Sequence, residues 1–189
     1  MTKVFFIGMN RTGTKSFHHM FVKAGYGSVH YNKYSLMTAI GEQMCDAHER
    51  KSNNYLNGMD KFVAYSDMFF HRNNKWCDGV KLFKELEEQY PNAFFVLQTR
   101  EMEGWLRSKR NHKKGDYLRR ARRYHQLSED EMIDWFRKDR DDHHDRVREH
   151  FKHSTRFIEF DIEKDNINTF IDFLKPEINL YSRHWKHIV

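Results

Sequence analysis

The chain has 189 residues, enough for one ordinary domain, and its 33 Lys and Arg against 27 Asp and Glu give a formal net charge of +6. Aromatic residues make up 15% of the sequence, which is enough to fill a core and argues against disorder. With only 9 Gly and 2 Pro, the sequence is neither collagen-like nor of low complexity. No apolar run approaches the length of about 18 residues that a membrane-spanning helix needs.

Two cysteines, Cys45 and Cys77, are too few for a disulfide scaffold, and neither belongs to a Cys-x-x-Cys pair. We therefore expect two free thiols and a cytoplasmic protein. Near the start of the chain, the apolar run at residues 4–7 is much shorter than the core of about 7–15 residues in a signal peptide. This run is expected to be a strand of the folded protein.

The first predicted strand leads through a glycine turn into a helix. Residues 4–7 are apolar and partly β-branched, as expected of a strand that is buried on both faces. Gly8 ends this run and Gly13 closes a polar turn, after which residues 14–24 carry apolar side chains at helical spacing. A strand, a glycine turn and a helix in this order are typical of an α/β nucleotide-binding fold.

The alternation of strands and helices continues along the chain. Further strands are predicted at residues 28–31, 62–66, 93–97 and 157–160, the last near a sheet edge. Further helices are predicted at residues 35–50, 81–90, 102–109 and 167–174, followed by an irregular tail. The pattern predicts a three-layer α/β fold, in which a P-loop-type parallel sheet lies between helices. One domain is expected over residues 1–189, with a basic helical insertion at about residues 107–154.

A basic segment precedes the last predicted strand. Between Arg107 and Arg123 the sequence has nine Lys and Arg residues and one acid. Ser128 then opens a Ser-Glu-Asp-Glu capping box, which predicts the start of a long helix. The middle of this helix, residues 137–146, is charged apart from a pair of histidines, so we expect it to be solvated rather than to bind a metal.

The turn after the first strand has the glycine spacing of a phosphate-binding loop. Glycines there let backbone N–H groups point inward and bind a phosphate at the start of the following helix. Gly8 and Gly13 have the separation that ATPases use, but Thr14 stands where ATPases have lysine, and Lys15 comes one residue late. One residue rotates a side chain by about 100° around a helix, so Lys15 does not point toward a γ-phosphate.

The segment Asn10-Arg11-Thr12-Gly13-Thr14-Lys15-Ser16 resembles the 5′-phosphosulfate loop of sulfotransferases that use 3′-phosphoadenosine 5′-phosphosulfate (PAPS). That family loop reads Pro, then Lys or Arg, then Ser or Thr, Gly and Thr. In this chain Asn10 replaces the usual Pro, which bears on the stiffness of the loop, and Lys15 adds a charge where Thr is common. The resemblance covers about residues 4–108 and returns weakly at residues 157–174.

A second segment resembles the other signature of this family, an arginine at the end of a buried strand and a serine eight residues later, both of which bind the 3′-phosphate. Arg100 follows the strand predicted at residues 93–97, and Ser108 lies eight residues further on. Because this spacing is little more than two helical turns, both side chains can face one phosphate, with the arginine binding bidentately. Trp105 also stands where many relatives have Trp.

The resemblance implies in-line transfer of a sulfuryl group from PAPS to an acceptor hydroxyl or amine, with 3′-phosphoadenosine 5′-phosphate (PAP) as the nucleotide product. Such a reaction needs mainly positioning and charge stabilisation, and no metal is implied. Arg11 is expected to stabilise charge on the bridging oxygen electrostatically, because arginine stays protonated. The implied nucleotide-binding residues are Arg11, Thr12, Gly13, Thr14, Lys15, Ser16, Arg100 and Ser108.

A general base must lie where the acceptor meets the sulfur. Asp67 is the first candidate, because it follows the strand predicted at residues 62–66 and some relatives have Asp at a comparable strand end. His71 is the second candidate, since an imidazole titrates near neutral pH, and His18 and His19 are the third. A role for Asp67 in capping a loop is an equally good interpretation.

Two other functions remain open. A P-loop kinase or NTPase would use Asp67 to hold a metal, although the shifted Lys15 and the Arg100–Ser108 pair disfavour it, and magnesium dependence distinguishes the two enzymes. A nucleic-acid-binding protein is suggested by the basic segment and a pI of about 9.2, but no DNA or RNA motif supports such a partner. In a sulfotransferase the same basic segment would attract the nucleotide or an anionic acceptor such as a carbohydrate. The acceptor itself and the oligomeric state are not predicted.

Overall fold

The computed structural model describes residues 1–33, 38–72, 74–186 and 188. The strands are β1 (Val4–Phe6), β2 (Ser28–His30), β3 (Asn32–Lys33), β4 (Thr38–Ala39), β5 (Ala64–Ser66), β6 (Phe69–Arg72), β7 (Lys75–Asp78), β8 (Phe94–Thr99) and β9 (Phe157–Asp161). The helices are α1 (Thr14–Lys23), α2 (Ile40–Glu49), α3 (Phe83–Gln89), α4 (Met102–Asn111), α5 (Asp116–His125), α6 (Glu129–Phe151) and α7 (Ile167–Leu174).

The main sheet has the order β4-β3-β2-β5-β1-β8-β9. Its five strands from β2 to β9 in this order are parallel, and β3 and β4 extend one edge in antiparallel pairing. Strand β1 is the middle one of the five parallel strands, with Val4 opposite Phe94 of β8 and Ala64 of β5. Since the carboxyl ends of parallel strands meet at the same edge of a sheet, the loops after β1, β5 and β8 are neighbours.

Successive residues of β1 point to opposite faces of the sheet and enter different cores. Val4 and Phe6 pack with apolar side chains of α1 and α7, whereas Phe5 and the following Ile7 pack with those of α2, α3, α4, α5 and α6. The sheet is therefore covered by helices on both faces. This arrangement confirms the predicted three-layer α/β fold, and the insertion between β8 and β9 is helical.

Several predicted elements are confirmed closely. Helix α7 has the predicted bounds, α1 begins at the predicted residue, and β9 lies at the sheet edge. The capping box is also present, because the Ser128 side chain accepts a hydrogen bond from the Glu131 N–H and the Glu131 carboxylate accepts one from the Ser128 N–H. The helix predicted at residues 81–90 is divided into a 3₁₀ turn at Gly79–Leu82 and α3. Local signals of this kind are carried by consecutive residues, which explains why they could be recognised.

The hairpin of β6 and β7 was not predicted. It pairs His71 with Trp76 and stands apart from the main sheet. Its strands have only four residues each and weak alternation of polar and apolar side chains, so the sequence pattern does not identify them as strands. The helix predicted at residues 35–50 begins only at Ile40, because β4 precedes it, and residues 35–37 of that prediction lie outside the described part.

The expectation that the middle of α6 is solvated is correct for one face of the helix and wrong for the other. Arg140, His143 and His144 are buried against the end of the sheet. The Arg140 guanidinium donates hydrogen bonds to the Thr99 hydroxyl and to the backbone carbonyl of Arg100. His143 Nε2 donates to the Ile7 carbonyl at 2.7 Å. Arg140 and His143 thus satisfy carbonyl and hydroxyl groups at the ends of β1 and β8, which is why this face of a charged helix can be buried.

The expectation of two free thiols is also wrong. Cys45 on α2 and Cys77 on β7 form a disulfide with a Cα–Cα distance of 6.3 Å. The cause is the unpredicted hairpin, which places β7 beside α2. In the part of the chain that the structure describes, no helix is long and apolar enough to cross a membrane.

Candidate functional site

The loop between β1 and α1 is fixed against β8 by its first glycine. The Gly8 N–H donates to Gln98 Oε1 at 2.9 Å, and Gln98 Nε2 donates back to the Gly8 carbonyl at 3.2 Å. A Cβ atom on Gly8 would lie 2.1 Å from the Gln98 carbonyl oxygen, which is shorter than any real contact. Only glycine therefore allows the loop to leave the sheet at this point.

The rest of the loop turns its backbone toward the start of α1. Arg11 and Gly13 have φ values of 71° and 79°, in the left-handed region. The Thr12 hydroxyl is turned inward and donates to the Met9 carbonyl, so that Thr12 is buried. The first turn of α1 contains no acidic side chain. An uncompensated helix N-terminus of this kind attracts an anion through its N–H groups and its dipole.

The second predicted cradle lies at the end of β8. Arg100 donates to Glu163 Oε1 at 2.6 Å through Nη2, while its Nε is buried with no hydrogen-bond partner among the described residues. The backbone carbonyl of Arg100 accepts a hydrogen bond from Arg140, which fixes the strand end. The guanidinium therefore keeps an unused donor, as expected of a group that also binds a ligand.

Two hydrogen bonds join the loop after β1 to the helix that follows β8. The Arg11 Nε donates to the Ser108 hydroxyl at 3.0 Å, and the Trp105 indole N–H donates to the Asn10 carbonyl at 2.8 Å. Asn10 Oδ1 is buried and, within the described ranges, has no partner. The two segments that were recognised separately in the sequence thus lie in contact.

Not all residues of the predicted loop face the same way. The Ser16 hydroxyl accepts a hydrogen bond from the Ile188 N–H of the tail at 2.9 Å, whereas Lys15 lines a cleft to which Ser16 does not contribute. Burial lowers the pKa of Arg11, the charge of Asp67 raises it, and that of Arg100 lowers it again. Arg11 is therefore within electrostatic range of both the predicted base and the predicted 3′-phosphate residue.

A cleft of about 860 Å³, here called the main cleft, opens beside the loop. It begins at Asn10 and Lys15 and is lined mainly by polar and cationic side chains. The lining cations and histidines are Lys15, His18, His30, His71, Arg72, His112, Lys113 and Arg120. Among the lining residues that the structure describes, Asp67 is the single carboxylate. Such a cleft concentrates anions, because positively charged side chains dominate its walls.

Asp67 lies directly after β5 with a φ of 55° and a side chain that is 24% exposed. Burial raises its pKa from 3.8 to about 6, although the nearby charges of His71, Arg11, Lys109 and Lys15 act in the opposite direction. His30 Nε2 is 3.8 Å from the Asp67 carboxylate. A carboxylate with this pKa that faces a cleft can accept a proton near neutral pH.

His71 has both ring nitrogens occupied. Its Nε2–H donates to Asp78 Oδ1 at 2.6 Å, and its Nδ1 accepts from the Tyr117 hydroxyl at 3.0 Å. Burial lowers the pKa of His71, and the ring is stacked 3.6 Å from Trp76. Burial alone would raise the pKa of Asp78, but the hydrogen bonds and charges of His71 and Lys81 outweigh it and lower the pKa. His71 is thus a neutral ring fixed by an ionised carboxylate.

The hydrogen-bond chain extends to two residues that the sequence analysis did not select. Lys109 Nζ donates to the Tyr117 hydroxyl at 3.2 Å and lies over the rings of Trp105 and Phe136. Burial lowers the pKa of Lys109 to about 8. In the sequence Lys109 directly follows Ser108. A lysine on the otherwise apolar face of this helix was the signal that could have pointed to it.

The other candidate bases are placed as follows. His18 lines the main cleft, and its Nδ1 lies 2.8 Å from the Ser28 hydroxyl, whereas His19 is outside the lining. Tyr117 and Phe136 are buried. In the described ranges no group of three or more His, Cys, Asp or Glu residues is arranged to hold a metal ion.

Comparison with known proteins agrees with the family resemblance of the two contacting segments. A family profile described as a sulfotransferase domain matches residues 3–180, which is nearly the whole chain. No curated protein matches the chain. With a parallel sheet between helices and a match of this extent, the chain belongs to the sulfotransferase domain family.

Proposed function

We propose that this protein transfers a sulfuryl group from PAPS to an acceptor hydroxyl or amine. The observation that carries the proposal is the hydrogen bond between Arg11 and Ser108, which joins the loop after β1 to the segment after β8. A nucleotide with phosphates at both its 5′ and 3′ positions fits two cationic cradles that lie next to each other. The whole chain, residues 1–189, would act as one unit.

The 5′ end of the nucleotide would be held at the start of α1. The backbone N–H groups of Thr12, Gly13, Thr14 and Lys15 are available there, and the absence of an acidic side chain in the first helical turn supports anion binding. Arg11 would stabilise the charge that develops on the oxygen between phosphorus and sulfur. PAPS would supply an activated sulfuryl group, whose acceptance by a hydroxyl needs no change of oxidation state. Ser16 would support the loop indirectly, through its hydrogen bond with Ile188 of the tail.

The 3′-phosphate would be held by Arg100 and Ser108. The buried Nε of Arg100 has no partner in the described part of the chain, so it is free to donate to a phosphate oxygen. Its Nη2 is bonded to Glu163, and that carboxylate would have to share the guanidinium with the phosphate. The Ser108 hydroxyl accepts from Arg11, which leaves its own hydrogen for a phosphate oxygen.

Asp67 is proposed as the general base. Its carboxylate lines the main cleft, and its raised pKa suits proton uptake from an acceptor hydroxyl. His71 is less suited to this role, because Asp78 and Tyr117 occupy its two nitrogens. We assign His71 the role of orienting Tyr117 at the wall of the cleft.

The acceptor is proposed to be anionic, since the main cleft is lined by cations and reaches the loop at Lys15. An acidic carbohydrate satisfies this requirement. The expected cytoplasmic location rested in part on two free thiols, and the disulfide between Cys45 and Cys77 takes that support away, because disulfides persist mainly in oxidising compartments.

The test is release of PAP from PAPS by the purified protein, with and without a panel of hydroxyl-bearing acceptors. We expect equal rates in EDTA and in Mg²⁺, because no residue role in the proposal involves a metal. Arg11→Ala should lower the rate by about 10²–10³-fold, as when one donor to a developing charge is removed. Arg183→Ala, on an exposed arginine of the tail, is the control. Hydrolysis of ATP that depends on Mg²⁺, without PAP release, would identify a kinase or NTPase instead.

A further inference from the structure

A second, smaller cleft of about 160 Å³ lies on the far side of His71. It is lined by arginine, lysine, amide and aromatic side chains and, among the described residues, by no carboxylate and no aliphatic group. Its main lining residues are Arg72, Lys75, Trp76, Arg120, Arg123 and Tyr124. It is called the side cleft below.

The side cleft continues the main cleft. His71, Arg72 and Arg120 line both of them, so the two share a wall. Helix α5 runs along this wall, with Tyr117 in the main cleft and Tyr124 in the side cleft. Seven residues of helix span about 10 Å, so the combined surface can hold more than one unit of a chain molecule.

The cations of the side cleft differ in how far they are neutralised. Lys75 is paired with Asp46, and Arg120 is paired with Asp116 at 3.0 Å. Arg72 and Arg123 are exposed, and within the described ranges neither has a carboxylate partner. Two unpaired guanidinium groups at one opening favour an anionic ligand, because arginine binds carboxylate and sulfate oxygens in a bidentate manner.

The aromatic side chains point to the chemical nature of that ligand. Tyr124 is 43% exposed and stacks on Trp76 at 5.5 Å, and Trp76 stacks in turn on His71. An exposed, rigid aromatic face beside polar donors suits a sugar ring, which has an apolar face and polar edges. A bound peptide would need apolar pockets for its side chains, and the described lining of the side cleft offers no aliphatic group for one.

We propose that the side cleft is a subsite for an acidic oligosaccharide acceptor, binding a charged sugar next to the one that lies at Asp67 in the main cleft. The inference rests on the proposed sulfotransferase function and extends it to the length and charge of the acceptor. The basic segment between Arg107 and Arg123, which the phosphate-binding residues do not explain, supplies Arg120 and Arg123 to this surface.

The test is calorimetric titration of the PAP-loaded protein with uronic-acid oligosaccharides of two and four sugars, a neutral tetrasaccharide and tetraglutamate. We expect the acidic tetrasaccharide to bind about tenfold more tightly than the disaccharide, equivalent to about 1.4 kcal/mol. Arg123→Glu should abolish this difference while leaving the affinity for the disaccharide within about twofold. Arg119→Glu changes the charge of the same helix equally and lies outside both clefts, so it should keep the wild-type difference.

Each outcome decides the proposal. Equal affinity for the two acidic oligosaccharides, equal effects of the two variants, or tighter binding of tetraglutamate would each overturn it. The affinity for PAP, measured first, checks the folding of Arg123→Glu, and Arg123→Gln serves in its place if that variant binds PAP poorly. If the wild-type protein does not bind PAP yet binds the tetrasaccharide with the expected dependence on Arg123, the subsite stands and the sulfotransferase proposal fails.

Discussion

The proposed nucleotide side and the proposed acceptor side of this site are built differently. On the nucleotide side, the residues come from two short segments that follow adjacent central strands, and Arg11 and Ser108 bond them together. On the acceptor side, Asp67 follows β5, His71 lies on the hairpin and Tyr117 lies on α5. The proposed nucleotide side therefore depends on the carboxyl ends of β1 and β8 and on the start of α4, whereas the proposed acceptor side depends on packing between the sheet, the hairpin and α5.

This difference predicts that the acceptor side tolerates substitution more readily than the nucleotide side. A change in the hairpin or in α5 can alter the main cleft without moving β1 or β8. A change at the end of β1 disturbs Gly8, Arg11 and the start of α1 together. We therefore expect substitutions on the acceptor side to affect turnover while nucleotide affinity is retained.

The largest effect is expected for Asp67→Asn. Loss of the proposed base should lower turnover by about 10²–10⁴-fold and leave the affinity for PAP unchanged. Wild-type turnover should rise with pH as the carboxylate loses its proton, with an apparent pKa of about 6, and this limb should vanish in the variant. Initial rates of PAP release between pH 5 and pH 9 are the measurement, with Asp172→Asn, at an exposed side chain of α7, as the control. If Asp67→Asn turned over at the wild-type rate, Asp67 would not be the base, and its role would be to cap its loop.

The same substitution should stabilise the protein at high pH. Because the pKa of Asp67 is raised on folding, its contribution to stability is full below the unfolded value of 3.8 and is lost as the pH rises through about 6. At pH 8 the buried charge therefore costs about 1–3 kcal/mol, which Asn removes while tolerating the left-handed backbone. Urea unfolding at pH 4 and pH 8 should show a gain for Asp67→Asn at pH 8 only.

On the nucleotide side, Gly8→Ala should lower stability by about 3 kcal/mol, because the added methyl group meets the Gln98 carbonyl oxygen. Gly58→Ala is the matched control, since Gly58 has a φ of 74° and open space where a Cβ would lie. The control should lose only about 1 kcal/mol through its backbone conformation. Equal losses in denaturant unfolding would show that the contact between β1 and β8 is not tight.

A smaller effect is expected within the chain of hydrogen bonds on the acceptor side. Tyr117→Phe removes the acceptor of Lys109 Nζ and should cost about 1–3 kcal/mol. Lys109→Met removes the buried charge at similar volume and should be close to neutral. The double variant should therefore lose less stability than Tyr117→Phe alone. A double-variant loss equal to the sum of the two single losses would mean that the residues do not interact.

The parts of the site that could be predicted from sequence are those carried by consecutive residues. The loop after β1 and the pair Arg100 and Ser108 have fixed local spacing, and the structure brings Ser108 into contact with Arg11 of that loop. The contact of Tyr117 with His71 joins residues 46 positions apart, and burial of Arg140 depends on how a whole helix packs. Such contacts leave no local pattern, because only the folded sheet and insertion bring the partners together.

The most direct test of the central claim is calorimetric binding of PAP and adenosine 5′-monophosphate in EDTA, which differ in the 3′-phosphate. We expect Arg100→Ala to weaken PAP binding by about 2–5 kcal/mol, as when one partner of a desolvated charge pair is removed, and to leave adenosine 5′-monophosphate unaffected. Arg156→Ala breaks a similar ion pair with Glu177 away from the site and should change neither affinity. If the wild-type protein binds both nucleotides equally, or if Arg100→Ala weakens them equally, Arg100 does not hold a 3′-phosphate and the account is wrong.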